Sequence, residues 1–171
     1  MERKWNLMNF MNIEREIFAY CAVKDRYIYV FGGFNLNHLD SIERYDTVYD
    51  KWKLLNIKMK RPLQNASAVT VSNEKIILIG GYNGALHKCV DILDLTLKQW
   101  TSVEYMQSPR RKAHPFKYKN KIYIFGGEST ESEIHIPEIY DLVNNTWLKG
   151  KSFDSIISKS LNFWSSTTIF I

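Results

Sequence analysis

Residues 27–33 read YIYVFGG, an apolar run that ends in a pair of glycines. The same design returns at two later places, as IILIGG at 76–81 and as IYIFGG at 122–127. A short run rich in β-branched and aromatic residues is typical of a β-strand, and a run without polar alternation fits a strand that is buried on both faces. The sequence therefore predicts three buried strands, one in each copy of a repeated unit.

Two further marks follow each run at nearly fixed distances. A Tyr-Asp or Leu-Asp step lies 12 or 13 residues after the glycine pair, and a tryptophan lies seven residues after the Tyr or Leu. Counted from Trp5, the tryptophans of this series are 47, 48 and 47 residues apart, which is the signature of a repeat architecture. The repeat-defining residues are Gly32, Gly33, Tyr45, Trp52, Gly80, Gly81, Leu93, Trp100, Gly126, Gly127, Tyr140 and Trp147.

Each repeat predicts four short strands, A to D, because apolar and β-branched runs are separated by Asn, Asp, Lys and Ser. An aspartate ends each C strand, where its carboxylate can accept hydrogen bonds from the following turn. The predicted ranges are 17–23, 66–71 and 113–118 for A; 27–31, 76–79 and 122–125 for B; 41–46, 89–94 and 134–141 for C; and 52–57, 100–103 and a third segment that starts at 147 for D.

An apolar strand that ends in a glycine pair, followed by Tyr-Asp and then by Trp, resembles the kelch repeat. The resemblance covers nearly the whole chain, with Leu93 standing where the family prefers Tyr. It implies an all-β fold, a kelch-type β-propeller of four-stranded blades around a central channel. Residues 1–171 then form one segment, with complete repeats at about 6–52, 53–100 and 101–147 and an incomplete repeat at 148–171.

This arrangement amounts to three complete blades with a part-blade at each end. Repeat arrays need capping or ring closure to protect their sheet edges, and three blades are not expected to close a ring. We therefore expect the chain to be a fragment of a longer propeller or a truncated reading frame.

Composition excludes several classes of protein. The chain has 23 Lys and Arg against 18 Asp and Glu, a net charge of +5, but no basic run of five residues, so we expect no nucleic-acid partner. Two cysteines without CxxC spacing favour a reducing compartment. No apolar run has the length of a signal peptide or a membrane span, so we expect a cytoplasmic protein that does not bind membranes.

Basic residues recur in the D–A connections, once per blade. In an antiparallel blade the D–A and B–C connections emerge at the same end, and loops on a rigid scaffold carry recognition. We expect a protein partner at this end, including an acidic segment, because Arg pairs well with carboxylates. The predicted partner-binding residues are Arg15, Lys58, Lys60, Arg61, Arg110, Arg111, Lys112, His38 and His87.

The resemblance implies a protein that binds other proteins, either as the substrate-binding part of a BTB-kelch adaptor of a cullin-RING ubiquitin ligase or as an actin-associated scaffold. We expect no enzymatic activity and no cofactor. Two alternatives stay open: a fragment of a kelch-fold enzyme that acts on sugars, and a truncated remnant with no independent function. We expect no shared metal ion at His38, His87 and His135, and we expect Cys21 and Cys89 to be buried, inert thiols.

Overall fold

The computed structural model describes residues 4–130 and 136–150. They form three four-stranded antiparallel sheets, blades 1 to 3, in which the strands lie in the order A-B-C-D. Blade 1 contains β1 (Ala19–Val23), β2 (Tyr27–Phe31), β5 (Ser41–Asp46) and β6 (Lys51–Lys58), with a small hairpin of β3 (Phe34–Asn35) and β4 (Asn37–His38) in its B–C connection. Blade 2 contains β7 (Ser67–Ser72), β8 (Lys75–Ile79), β9 (Val90–Asp94) and β10 (Gln99–Ser102). Blade 3 contains β11 (His114–Tyr118), β12 (Lys121–Phe125), β13 (Glu138–Asp141) and β14 (Thr146–Lys149).

The predicted strands are confirmed, most of them to within two residues. The hairpin β3–β4 was not predicted, because its four residues carry no apolar pattern. Strand C of blade 3 begins at Glu138 instead of Ile134, directly after Pro137, which has no N–H to donate to a sheet. Residues 131–135 lie outside the described part of the chain, as do the residues after 150 that were assigned to a further repeat.

Two apolar clusters hold the blades together. The first packs blade 1 on blade 2, with Phe31 and Ile76 fully buried, and the second packs blade 2 on blade 3 around Ile77 and Ile124. The predicted burial of the B strands on both faces is confirmed for β8, where Ile76 to Ile79 are all buried. Among the described residues, blade 2 thus shares its two faces with blades 1 and 3, which is the packing expected of a propeller.

The tryptophans of the repeat link each blade to the segment that precedes it. The indole N–H of Trp52 donates to the carbonyl of Asn9, that of Trp100 to Lys58, and that of Trp147 to Glu104, at 2.8–2.9 Å. Each acceptor precedes its tryptophan by 42 or 43 residues. Asn9 therefore has the same relation to the following tryptophan as Lys58 and Glu104, whereas residues 4–13 form no strand and Trp5 is fully exposed. The amino-terminal part-blade stays a prediction.

The glycine pairs lie where the next connection crosses the sheet. A Cβ added to Gly80, which has φ +59°, would lie 2.2 Å from the carbonyl oxygen of Arg110. A Cβ added to Gly32, which has φ +56°, would lie 2.3 Å from the carbonyl oxygen of Leu63, whereas at Gly126 the described residues place nothing within 4 Å. The first glycine of a pair is thus required both by its left-handed backbone and by the close approach of the following blade.

The aspartates at the ends of the C strands cap their turns. Asp46 accepts from the N–H of Val48, Asp94 from Thr96 and Leu97, and Asp141 from Val143 and Asn144. The predicted role of these three carboxylates is confirmed. The sheets have no helical partners: the described residues form no α-helix, and hence none long and apolar enough to cross a membrane.

Candidate functional site

The B–C and D–A connections meet at one end of the sheets, which we call the loop face. In each blade the residue after the glycine pair exchanges backbone hydrogen bonds with the D–A connection. The pairs are Phe34 with Glu16, Tyr82 with Gln64, and Glu128 with Arg111, at 2.8–3.0 Å. The A–B and C–D turns meet at the opposite end, where the N–H of Thr47 donates to Arg26. The predicted division of loops between the two ends is confirmed.

Arg15 and Arg110, both predicted to bind a partner, are buried instead. The guanidinium of Arg15 donates to the Glu43 carboxylate at 2.7 Å and also to oxygens of Gly32 and Ser41. Arg110 pairs with Glu138 at 2.5 Å, and the two arginine side chains are only 0% and 1% exposed. The prediction is corrected at these two positions, because a partner cannot reach a guanidinium that is enclosed by its own blade.

The carboxylates of these pairs also hold the incoming connection. Glu43 accepts from the N–H groups of Asn12 and Ile13, and Glu138 accepts from those of Gln107 and Ser108. Burial acts to raise the pKa of Glu43, but the hydrogen bonds from Asn12, Arg15 and Ile13 outweigh it and lower the pKa. Both glutamates therefore fix the path of the D–A connection that carries the loop face.

Blade 2 has a different residue at the buried position of its D–A connection. Its D–A connection has Leu63, 1% exposed, at the position that Arg15 and Arg110 occupy, two residues before a residue with positive φ. Arg61, two residues upstream, reaches the equivalent carboxylate, Asp91, at 3.0 Å. The side chain of Arg61 remains 26% exposed, so of the three arginines only this one is accessible from solvent.

The other predicted basic residues are exposed or partly exposed, and each is paired. Lys58 contacts Asp40 at 3.1 Å, Lys60 lies 3.7 Å from Asp91, and Lys112 contacts Glu128 at 2.7 Å. Arg111 shares Glu128 with Lys112, and the hydrogen bond from Lys112, followed by that from Arg111, lowers the pKa of this carboxyl despite partial burial. Two cations face one carboxylate at Asp91 and again at Glu128, so the excess positive charge of the loop face lies on blades 2 and 3.

His38 and His87, the two histidines predicted to bind a partner, lie on the loop face in separate environments. The ring of His38 packs edge-on against Phe34 and Tyr82, with centroids 5.5 and 6.1 Å away. His87 Nε2 is hydrogen-bonded to Asn83 at 2.6 Å, and burial, with a contribution from Arg61, lowers the pKa of His87. His135 is outside the described residues. Within 4–130 and 136–150, no three His, Cys, Asp or Glu side chains are grouped so as to hold a metal ion.

A cleft of about 600 Å³ separates the B–C loops of blades 2 and 3. Tyr82 and Leu86 line one side and Glu128 the other, with Arg111 and Pro109 between them. The guanidinium of Arg111 lies 5.2 Å from the centroid of the Tyr82 ring, a cation–π distance. Apolar and aromatic surface next to a few charged groups is the usual composition of a binding cleft.

The chain has two cysteines, and neither thiol is exposed. Cys21 and Cys89 are free and buried, and burial raises the pKa of Cys21 to about 11. Burial also raises the pKa of Cys89. Both cysteines therefore stay protonated at neutral pH, as expected of inert core thiols.

Three antiparallel four-stranded sheets in series, each linked to the last by a tryptophan, define a β-propeller segment. The family model described as Kelch motif matches residues 21–58, 65–107 and 117–153, more than half of the chain. The chain belongs to the kelch-repeat family.

Similar proteins agree with this assignment. Alpha-scruin of Limulus polyphemus is 27% identical over 171 residues, which are 89% of this chain and 18% of that protein. Kelch-like protein 23 of Mus musculus is 29% identical over 76% of this chain and 23% of its own length. N-acetylneuraminate epimerase of Vibrio cholerae is 33% identical over half of the chain, 24% of that protein. The chain therefore spans about a fifth to a quarter of the curated relatives it matches.

Among solved structures, that of YjhT superposes with a TM-score of 0.75 at 15% identity, covering 89% of this chain and 56% of that chain. At this level of identity the likeness shows the propeller fold alone.

Sequence reasoning missed the acidic partner of the buried arginines. Glu43, Asp91 and Glu138 each lie three residues before the aspartate of the Tyr-Asp or Leu-Asp step. This fixed position was a signal in the sequence, since an acid that recurs inside an otherwise apolar strand needs a buried partner. The second missed feature is the positive φ of Ile17, Asn65 and Lys112 at the start of the blades.

Proposed function

We propose that this chain is a non-enzymatic protein-interaction module that binds another protein through the loop face of blades 2 and 3. The observation that carries the proposal is the cleft of about 600 Å³ between their B–C loops, lined by Tyr82, Arg111 and Glu128. A lining that combines the Tyr82 ring with the charged side chains of Arg111 and Glu128 suits a protein side chain or loop.

The scaffold beneath this surface is well suited to recognition. The buried pair of Arg110 and Glu138 holds the connection that carries Arg111, so the exposed residue stands on a fixed backbone. A preorganised surface loses little conformational entropy when a partner binds. The excess positive charge next to Glu128 and Asp91 favours a partner that presents an acidic segment.

Membership of the kelch-repeat family supports two more specific functions. The chain acts either as the substrate-binding part of an adaptor for a cullin-RING ubiquitin ligase or as an actin-associated scaffold. Co-precipitation with a cullin from cells that express the chain tests the first form, and co-sedimentation with filamentous actin tests the second. We also propose a cytoplasmic location, because both thiols are free and buried.

The binding proposal is tested by selecting binders. A phage-displayed library of linear 12-residue peptides is selected on the immobilised chain, and the affinity of each purified peptide is then measured by calorimetry. Reversal of two solvent-accessible charges, Arg111→Glu with Lys112→Glu, is expected to weaken the binding of these peptides at least tenfold.

A matched control carries the same charge change at the opposite end of the sheets, in the A–B turns. The variant Lys24→Glu with Lys119→Glu is expected to leave the affinities unchanged. Equal loss in both variants, or no loss in either, would contradict the assignment to the loop face. Arg110 is left intact in these experiments, because reversal of a buried charge would test folding instead of binding.

The remnant alternative is tested on the same preparation. Light scattering after gel filtration, followed by thermal unfolding of the peak, is expected to give a monomer with one cooperative β-rich transition. Aggregates without a cooperative transition would favour a chain with no independent function.

A sugar-acting enzyme is the second candidate, favoured by the match to N-acetylneuraminate epimerase. Incubation of the chain with N-acetylneuraminate, followed by proton NMR, distinguishes the two candidates. Conversion of the sugar faster than in a protein-free sample would establish an enzyme, and the binding proposal expects no such conversion.

A further inference from the structure

We propose that a second, smaller cleft in blade 2 binds a carboxylate side chain of the partner, with Arg61 as the group that receives it. The cleft has a volume of about 320 Å³ and is lined by Arg61, Leu86, His87, Lys88, Cys89 and Tyr105. This inference rests on the proposed function, since it assigns one anchor point within the loop face, and it can fail while that function stands.

The cleft forms because the arginine of blade 2 lies two residues earlier in its D–A connection than the arginines of blades 1 and 3. In blades 1 and 3 the arginine lies two residues before the positive-φ residue and is enclosed. In blade 2 Leu63 fills that place with an apolar side chain, and Arg61 approaches Asp91 from further up the connection. The guanidinium therefore reaches its carboxylate from the solvent side instead of from the core.

The hydrogen bonding of the two arginines differs accordingly. Arg15 donates to five oxygen atoms, on Ile13, Gly32, Ser41 and Glu43. Arg61 donates to Asp91 from one terminal nitrogen, Nη1, and lies close to the thiol of Cys89. A guanidinium has five donors, so that of Arg61 retains the capacity to bind a further oxyanion from the cleft.

The charge around the cleft favours an anion. Lys60, 37% exposed, and Arg61 both face Asp91, whose remaining oxygen also accepts from Ser102 at 2.5 Å. Lys88 also lines the cleft, with its ammonium group donating to the carbonyl of Gln107. Two cations face one buried carboxylate, and a carboxylate from outside would offset this excess.

The volume of the cleft limits which groups can bind in it. A volume of about 320 Å³ holds one side chain and not a folded element, and the exposed phenol of Tyr105 provides an apolar wall beside the cations. A single planar carboxylate matches the guanidinium fork in geometry. The occupant is therefore an Asp or Glu side chain in an extended part of the partner.

The test titrates the ¹⁵N-labelled chain with the capped tripeptide Ac-Gly-Asp-Gly-NH₂ and follows two-dimensional NMR spectra. Saturable shifts are expected at the backbone amides of His87 and Cys89 and at the Nε–H of Arg61. The amide twin Ac-Gly-Asn-Gly-NH₂ is expected to bind at least tenfold more weakly. Equal affinity for the twin, or shifts that are spread over other parts of the chain, would overturn the proposal.

A third peptide, Ac-Gly-phosphoSer-Gly-NH₂, separates the two sources of an oxyanion. A carboxylate site is expected to bind this peptide no more than tenfold more tightly than the Asp peptide. A larger preference would replace the carboxylate assignment with a phosphate site.

Variants localise the effect. Arg61→Gln is expected to reduce the affinity for the Asp peptide at least tenfold, whereas Lys117→Gln, in exposed β11, leaves it unchanged. The triple variant Arg61→Ser, Leu63→Arg and Asp91→Glu copies the buried arrangement of blade 3 into blade 2 and is expected to abolish binding in a folded chain. If the triple variant does not fold, Lys60→Gln takes its place, with an expected loss of about threefold by the removal of one cation near the cleft.

The two proposals fail separately. If the tripeptide does not bind but the selected 12-residue peptides still depend on Arg111 and Lys112, only the carboxylate site is wrong. If the tripeptide binds at Arg61 but the selected peptides are insensitive to the loop-face charges, the anion site stands and the proposed function fails.

Discussion

Blades 1 and 3 enclose their connecting arginines, whereas blade 2 leaves its arginine at the surface. Arg15 and Arg110 pair with glutamates inside the sheet, and their side chains are 0% and 1% exposed. In blade 2, Leu63 takes the buried place and Arg61 pairs with the shorter Asp91 at 26% exposure. The arginine thus has a structural role in blades 1 and 3, where it is buried, whereas in blade 2 it is accessible to solvent.

The difference shows how a repeat gains a site without losing its fold. An apolar side chain can replace a buried charge at little cost or even with a gain in stability, because no charge has to be desolvated. Leu63 keeps the connection packed, so Arg61 is released from the core and is available to a ligand. Four changes to the chain would break or sharpen this comparison.

The largest effect is expected from Glu43→Gln in blade 1. The substitution keeps the shape of the side chain but leaves the buried guanidinium of Arg15 without its carboxylate. Loss of one partner of a buried ion pair costs about 3–5 kcal/mol, and we expect a loss of that size in the free energy of unfolding in urea. Glu14→Gln, an exposed change in the same connection, is the control and is expected to have no effect. A loss below about 1 kcal/mol would mean that the enclosed pair does not hold the connection.

Leu63→Ala is expected to cost about 3 kcal/mol, because the side chain is 1% exposed and its removal leaves a cavity between blades 1 and 2. The exposed Leu97→Ala serves as the reference, with an expected change near zero. Thermal unfolding of both variants provides the measurement. Equal stability of the two would show that Leu63 does not replace the buried arginine in its packing role.

Asp91→Asn is the matched change in blade 2 and is expected to cost only about 1 kcal/mol. Solvent can stabilise the partly exposed Arg61 and Lys60 once the carboxylate is gone. The same urea experiment compares this variant with Glu43→Gln. A cost as large as that of Glu43→Gln would remove the distinction between the blades.

The smallest expected effect is the pH dependence of stability that arises from His87, and it is measured through the pKa of this residue. Burial, with a contribution from Arg61, lowers the pKa of this histidine in the folded chain, so its neutral form is favoured there. Its contribution to stability is therefore present above its unfolded pKa of about 6.5 and is lost as the pH falls through the folded pKa. NMR titration of the imidazole is expected to show this lowered pKa, and Arg61→Gln is expected to raise it. An unchanged pKa in that variant would mean that the charge of Arg61 does not act on the cleft.

Much of the architecture could be predicted from the sequence, because strand patterns and turn residues are local signals. The B strands, the capping aspartates and the end at which the loops meet all follow from runs, spacings and antiparallel geometry. The burial of Arg15 and Arg110 could not be predicted from a count of basic residues, since an arginine in a loop is usually solvated.

The shifted position of the arginine in blade 2 could not be predicted from a count of basic residues either. Arg61 and Arg15 look alike as members of a basic stripe, and only their register against the positive-φ residues Asn65 and Ile17 separates them. That register depends on backbone conformation, which the residue types do not specify. The cleft lined by Arg61 therefore emerged only from the structure.

The measurement that tests the central claim most directly is hydrogen–deuterium exchange of the chain with and without a saturating selected peptide. The account predicts that protection by the peptide falls on the loop face of blades 2 and 3, at residues 82–88, 109–112 and 128–130. Protection centred instead on the turns at the opposite end, at 24–26, 47–50 and 73–74, would contradict the proposal that this propeller segment binds its partner through the loop face.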